Sequence, residues 1–304
     1  MTTHITILDG GMGRELARVG APFKQPEWSA LALYEAPPAV IRVHQDFIHA
    51  GAEVITTNSY AVVPFHIGEK RFQADGFTLA KLSGQLAKQA VDTSTNSATD
   101  SKKVKIAGSL PPLFGSYRFD LFQADQVERV ARPLIDGLSA YADFWLFETQ
   151  SHSQEVLSVI PFLPHDNRPI WVSFTLQDEC LTDTPYLRSG ERVVDAVKAV
   201  LEQGVQAVLF NCCQPEVIEQ AIIAAKQVIG KKAVQLGAYA NAFPPQSKEA
   251  TANDGLDEIR TDLDPNAYLA WAQKWRNAGA TIIGGCCGIT PAHIQVLAQH
   301  LNSN

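Results

Sequence analysis

Five cysteines punctuate a chain of 304 residues, and four of them come as neighbours: Cys212 with Cys213 in "FNCCQP", and Cys286 with Cys287 in "IIGGCCGITP". Adjacent cysteines make poor disulfide partners, because Cα atoms across a trans peptide lie about 3.8 Å apart whereas a relaxed disulfide wants about 4.4 to 6.8 Å. The spacing also lacks the look of a secreted disulfide framework and suits reduced thiols. Thiolates bind zinc at about 2.3 Å, and three of them leave one tetrahedral position for a substrate. Whether such a set forms depends on the elements that carry it.

Eight short runs rich in β-branched and aromatic residues recur along the chain: 5–11, 53–60, 104–110, 144–149, 170–175, 207–213, 233–239 and 281–287. Between them, 37–50, 71–92, 124–141, 151–163, 189–203, 215–229 and 265–278 carry apolar residues at helical spacing. Pro215 opens one helix, and Thr290 before Pro291 caps a last one that runs to about Leu301. Length alone allows one large domain or two ordinary ones, but eight strand–helix units predict the α/β class and a (β/α)8 TIM barrel, one domain over 1–304. The polar stretch 92–103 reads as a solvated loop at the bottom of the barrel. The long stretch 241–264 follows the seventh strand at the top and could form a lid.

Barrel active sites gather at the C-terminal ends of the strands. Here those ends read Asp9-Gly10-Gly11, Thr57-Asn58-Ser59-Tyr60, Gly108-Ser109, Glu148-Thr149, Asn211-Cys212-Cys213 and Gly284-Gly285-Cys286-Cys287. Strands six and eight stand two steps apart, so their ends lie about 9 Å apart, within reach of two cysteine side chains and a shared ion. On a regular strand Cys286 and Cys287 would face opposite ways; Gly284, Gly285 and Gly288 would let the chain turn both sulfurs to one side. The dipole of the helix after Thr290 would favour the thiolates. Two other readings stand beside this one: a closed structural site completed by Cys213, Cys180 or a histidine, and cysteines that merely fill the core. No histidine pair has metal-ligand spacing on a helix, and His293 falls on the outer helix.

Among the other strand-end residues, Glu148 closes an otherwise apolar strand, where an unpaired charge would be costly. Asp9 before two glycines could instead be a turn residue. Period-two alternation puts Thr56, Asn58 and Tyr60 on one face. Trp28, Phe65, Phe114 and Tyr117 are loop aromatics that could face a cation or simply pack.

Composition narrows the partners. With 46% hydrophobic and 19% charged residues, the chain has material for a substantial core. A net charge of −7 without a basic cluster argues against nucleic acid and anionic membranes and for a small molecule. The first residues lack a signal-peptide pattern, and no apolar run reaches the roughly 18 to 20 residues of a membrane span. A soluble, cytoplasmic protein is expected; a homo-oligomer stays open, since apolar outer faces of barrel helices often serve dimers.

The segments "DGGMGREL", "AGAEVITTNSY", "FETQS", "NCC" and "GGCCGITPAHI", in this order, resemble the homocysteine S-methyltransferases, including the enzymes that use betaine or S-methylmethionine. The resemblance covers essentially the whole chain. It implies Zn2+ held by Cys212, Cys286 and Cys287, with the homocysteine thiol as fourth ligand, and methionine as product. It also implies Asp9 and Glu148 for the amino group of homocysteine, Gly10 and Gly11 for its carboxylate through their N–H groups, Thr56 beside the amino acid, and Tyr60 toward the methyl donor.

Two segments at the mouth depart from the family. Many relatives have a "GSxGPYG"-like turn where this chain has "GSLPPLFGSYRFDLF" (108–122), and a "YPNSGE"-like segment is here "YANAFPPQ", which keeps Tyr239 and Asn241. Homocysteine as acceptor is therefore better supported than any donor. The chain ends just after the barrel, without room for cobalamin- or folate-binding modules, so direct transfer is expected, from S-methylmethionine first, S-adenosylmethionine next and betaine third. The rivals are a zinc hydrolase or lyase, which would favour histidine and carboxylate ligands, and a binding protein that kept the site without turnover.

Overall fold

The computed structural model describes residues 4–94, 104–179, 181–247, 252–253, 255 and 258–303. In chain order the elements are β1 (Thr6–Ile7), α1 (Met12–Arg18), α2 (Ala30–Glu35), α3 (Pro37–His49), β2 (Val54–Thr56), α4 (Pro64–Ile67), α5 (Glu69–Ser94), β3 (Lys105–Leu110), α6 (Val127–Leu138), β4 (Phe144–Gln150), α7 (Ser153–Val159), β5 (Ile170–Phe174), α8 (Val193–Leu201), β6 (Ala207–Asn211), α9 (Pro215–Ile229), β7 (Gln235–Tyr239), α10 (Pro265–Ala278), β8 (Ile282–Ile283) and α11 (Pro291–Leu301). The eight strands form one parallel sheet in the order β1-β8-β7-β6-β5-β4-β3-β2. A parallel bridge between Leu8 and Val54 joins its two edges and closes the barrel. This is the expected (β/α)8 TIM barrel.

Helix starts follow the sequence signals. Helices α3, α4, α9, α10 and α11 open on a proline, whose missing N–H is one the first turn cannot use anyway. Thr290 and His293 form a reciprocal capping box at α11, so this histidine secures a helix end rather than a metal. Helices α1, α2 and α4, none of which periodicity predicted, are 7, 6 and 4 residues long. At that length a 3.6-residue period barely repeats.

Two apolar layers hold the barrel. Inside it, Leu8, Val54, Phe144, Leu146, Trp171, Leu209 and Ile282 pack into a filled column, topped by Tyr239 and Cys286. Outside, the strands' other faces meet the helices through residues such as Ile55, Trp145, Phe147, Val172 and Phe210. The bottom loop expected at 92–103 has its residues 95–103 outside the described residues, and Cys180 lies outside them too.

Candidate metal centre and amino acid site

Strands β1, β2, β5, β6 and β8 stop short of the C-terminal ends of the sequence runs that announced them, and side chains and loops take over hydrogen bonds there. In β2 the Thr56 N–H donates to Asp9 Oδ2 at 2.7 Å instead of to a neighbouring strand, and the Thr56 hydroxyl donates to Asp9 Oδ1 at 3.2 Å. The strand ends there. Asn58 and Tyr60 come to the cavity from a turn, held by the Ser59 N–H on Thr57 O at 2.7 Å, and not by strand alternation as expected. Thr57, on the opposite parity, also lines the cavity.

The cysteine loop is stitched to three neighbours. Gly285 N–H donates to Asp9 O, Cys286 N–H to Ala240 O, and Ala242 N–H to Cys287 O, at 3.0, 2.8 and 2.8 Å. Of the three glycines expected to bend it, only Gly288 has a left-handed backbone, at φ +84°. Gly284 and Gly285 are needed for space: a Cβ there would stand 2.4 Å from Leu8 Cβ and 2.1 Å from Ile289 Cγ2. The left-handed bend on the other side falls on Cys212 itself, at φ +53°. Such a conformation is uncommon outside glycine and no residue pattern announced it.

These constraints bring the three predicted sulfurs together. Cys212, Cys286 and Cys287 Sγ lie within 4.8 Å of one another, and the Cys212 and Cys286 sulfurs are 3.0 Å apart. Sulfurs around a tetrahedral zinc sit about 3.8 Å apart, from bonds of about 2.3 Å, so the trio fits a metal ion. Hydrogen bonds from Cys212 and Cys286, with Arg14 nearby, hold the Cys287 thiol well below its usual range and favour the thiolate. Tyr117 donates its hydroxyl to Cys212 Sγ at 3.2 Å. Cys213 is fully buried among apolar residues and stays outside the trio, and no histidine joins it among the described residues.

The predicted carboxylates lie beside the sulfurs. Glu148 sits on a register shift between Phe147 and Gln150 in β4, a bulge that re-aims its side chain. Thr149 beside it has a left-handed φ of +54° and is held by Asn211, whose Oδ1 accepts its N–H and whose Nδ2 donates to its hydroxyl. Glu148 accepts from the Ser109 hydroxyl and from the Tyr239 hydroxyl at 3.5 Å. Burial pushes Asp9 up to about 8, opposed by the Thr56 hydrogen bonds and reinforced by Glu148. Burial also pushes Glu148 up to about 7, the Ser109 hydroxyl opposing and Cys212 reinforcing. Two carboxyls pushed up in this way form a pair that a bound cationic group would ionise.

Gly11 serves otherwise than expected, and both glycines answer to space. The Gly11 N–H donates to Ile289 O at 3.0 Å, so it is spent within the protein. A Cβ on Gly10 would lie 2.4 Å from Ile289 O, and one on Gly11 would lie 2.6 Å from Cys286 O. Their bareness lets the cysteine loop press against the first strand's end.

All ten predicted residues line one cavity of about 180 Å³, space for on the order of a dozen water molecules. Its wall adds Arg14, Trp28, His66, Ser116, Tyr117, Phe243 and Gln246. Of the aromatic candidates, Trp28 and Tyr117 reach the cavity, while Phe65 and Phe114 pack against the core. His66 belongs to the wall although no histidine carries a sequence signal for a role; its neighbours come from three loops, which no local spacing records. Parts of the stretch after β7 cross the mouth: Gln25 Nε2 donates to Ala252 O at 3.1 Å and Gly255 O at 2.7 Å, and Trp28 Nε1 to Asn253 Oδ1 at 2.8 Å. No helix among the described residues is long and apolar enough to cross a membrane.

Comparison with known proteins gives the family. Homocysteine S-methyltransferase 1 of Zea mays is 29% identical over 316 residues, covering 97% of this chain and 94% of that protein. A selenocysteine Se-methyltransferase of Brassica oleracea var. italica is 27% identical over 331 residues, covering 99% and 90%. The metallated form of the homocysteine methyltransferase MmuM from Escherichia coli superposes with a TM-score of 0.77 at 28% identity, over 97% of this chain and 96% of that one. The family model for homocysteine S-methyltransferase matches residues 6–301. The chain therefore belongs to the homocysteine S-methyltransferase family.

Proposed function

We propose that this protein is a zinc-dependent enzyme that transfers a methyl group from a small sulfonium or ammonium donor to the thiol of homocysteine, giving methionine. The observation that carries the reading is one cavity holding three sulfurs within 4.8 Å of one another, with the buried acid Asp9 and the half-buried acid Glu148 in the same wall. A hydrolase site of histidines and carboxylates finds no counterpart among the described residues of this cluster.

Cys212, Cys286 and Cys287 would hold the zinc, which would remove the proton of a coordinated substrate thiol at neutral pH. Asp9 and Glu148 would ionise against the substrate ammonium and fix its distance from the sulfurs, with Thr56 and Ser109 holding their carboxylates. The substrate sulfur attacks the donor methyl. A new S–C bond forms, the methyl–onium bond breaks, and its electron pair stays on the donor, which leaves neutralised. Tyr60, Trp28 and Tyr117 offer ring faces and polar edges to an onium group. S-methylmethionine is favoured, then S-adenosylmethionine, then betaine. Reactive thiols at a metal centre suit a reducing compartment, and we assign the protein to the cytoplasm.

The test is reduced, zinc-loaded protein with homocysteine and each donor in turn, following methionine by mass spectrometry, with selenocysteine as an alternative acceptor. Methionine formed from S-methylmethionine supports the reading. Bound homocysteine without methionine from any donor would sink it.

A further inference from the structure

A directed chain of hydrogen bonds runs through the cavity wall. Its far end is the Pro26 carbonyl, which can only accept, 3.1 Å from His66 Nδ1, so that nitrogen carries the proton. Burial keeps the imidazole neutral, with its pKa lowered to about 4. His66 Nε2 is then an acceptor, 3.4 Å from Ser116 Oγ. With the Ser116 proton directed to His66, its oxygen accepts from the Tyr60 hydroxyl at 2.7 Å. At the near end Asn211 Nδ2 donates to the Thr149 hydroxyl at 2.8 Å, and Thr149 stands beside the Tyr60 phenol. Asn253, which takes the Trp28 indole N–H, sits beside the imidazole. His66 and Ser116 are each 2% exposed, yet both line the cavity with Tyr60.

We infer that Ser116 and His66 are positioning residues for methyl transfer, holding the Tyr60 phenolic proton out of the cavity so that the phenol offers the donor an oxygen acceptor and a ring face. A methyl group on a positive centre has polarised C–H bonds that suit an oxygen lone pair, and the positive centre suits the aromatic face. An O–H pointed at the same group would oppose its charge. Without His66 the Ser116 hydroxyl is free to donate to Tyr60, and the chain reverses. The relay thereby selects a cationic methyl donor over a neutral analogue. This inference rests on the methyl-transfer reading above.

The experiment measures steady-state kinetics of zinc-loaded protein with homocysteine and S-methylmethionine, or S-adenosylmethionine where only that donor turns over. Ser116→Ala and His66→Phe are expected to raise KM for the donor about tenfold. KM for homocysteine and zinc content should stay within about twofold. Ser116→Thr, which keeps the hydroxyl, should restore the donor KM. Ser116→Ala added to Tyr60→Phe should do no more than Tyr60→Phe alone, since both act through one group. An unchanged donor KM in Ser116→Ala, an equal rise for both substrates, or additive effects in the double variant would overturn the inference. A wild-type protein that makes no methionine overturns the methyl-transfer reading instead, so the two failures are told apart. Should His66→Phe not fold, Ser116→Ala, which removes one oxygen, still decides.

Discussion

Cys212 and Cys286 are separated by 74 positions, yet their sulfurs lie 3.0 Å apart, and Cys212 adopts a left-handed backbone at φ +53° to bring them there. A non-glycine residue in this region costs about 1 to 2 kcal/mol. The surrounding hydrogen bonds, from Thr175 Oγ1 and Tyr117 to Cys212 O at 3.2 and 3.4 Å, hold it in place. Local strain at Cys212 is thus offset by its neighbours, and the sulfur position depends on them.

The metal set is tested by replacing each thiol. Cys212→Ala, Cys286→Ala and Cys287→Ala should each lose most of the bound zinc, measured by elemental analysis of protein purified under reducing conditions, because these three sulfurs form the group that could hold a metal ion among the described residues. Cys213→Ala should keep its zinc and lose about 1 kcal/mol of stability for the small cavity it leaves in the core. Retained zinc in the first three would overturn the ligand assignment.

Gly11→Ala probes the contact between the first strand's end and the cysteine loop. Its Cβ would stand 2.6 Å from Cys286 O and 3.0 Å from Cys287 Cα, both backbone atoms that cannot rotate away. Loop displacement should cost about 1 to 3 kcal/mol and weaken zinc binding, read by competition with a chromophoric chelator. Unaltered zinc affinity would show that the loop tolerates the shift.

The acids predict a pH dependence whose sign can be worked out. Their folded-state pKa values, about 8 for Asp9 and about 7 for Glu148, lie above the ordinary 3.8 and 4.5. The folded state therefore binds more protons, and the stability these groups contribute is present at low pH and lost as pH rises from about 4 toward 8. Binding an ammonium group reverses the preference, so an amino acid ligand should release roughly one proton at pH 7. Titration calorimetry of norleucine, which lacks a thiol, in buffers of different ionisation enthalpy measures the release. Asp9→Asn should reduce it, and a buffer-independent enthalpy in the wild type would count against the ammonium site.

Arg188 and Asp178 form a buried ion pair at 3.1 Å, with side chains 2% and 1% exposed. Asp178 also accepts the N–H groups of Gln214 and Gln246, both at 3.1 Å, and Arg188 donates to Ser247 O at 2.9 Å and lies 4.7 Å over the Tyr117 ring. The pair joins loops after four strands at the mouth. Arg188→Met should cost about 3 to 5 kcal/mol, because Asp178 would be left buried and uncompensated. Arg188→Met with Asp178→Asn should cost less, which urea unfolding at pH 7 would show.

Much of this was legible from residue order. The eight parallel strands announce themselves as β-branched runs because both faces of a barrel strand are buried, and Pro215 and Thr290-Pro291 mark helix starts by local stereochemistry. The cysteines, Asp9, Glu148 and Tyr60 were found because chemistry-bearing types stand at the ends of those runs. What only the tertiary structure decided has no short-range signal. Helix α1 is too brief to show a period. The bend at Cys212 answers to loops from other strands, the Gly11 N–H is taken by Ile289 far along the chain, and the wall around Tyr60 joins His66 of α4 with Pro26 and Ser116 from separate loops. Sequence patterns report the periodicity of each element; the pairing of polar groups across loops is fixed only when closure of the barrel brings its strand ends together.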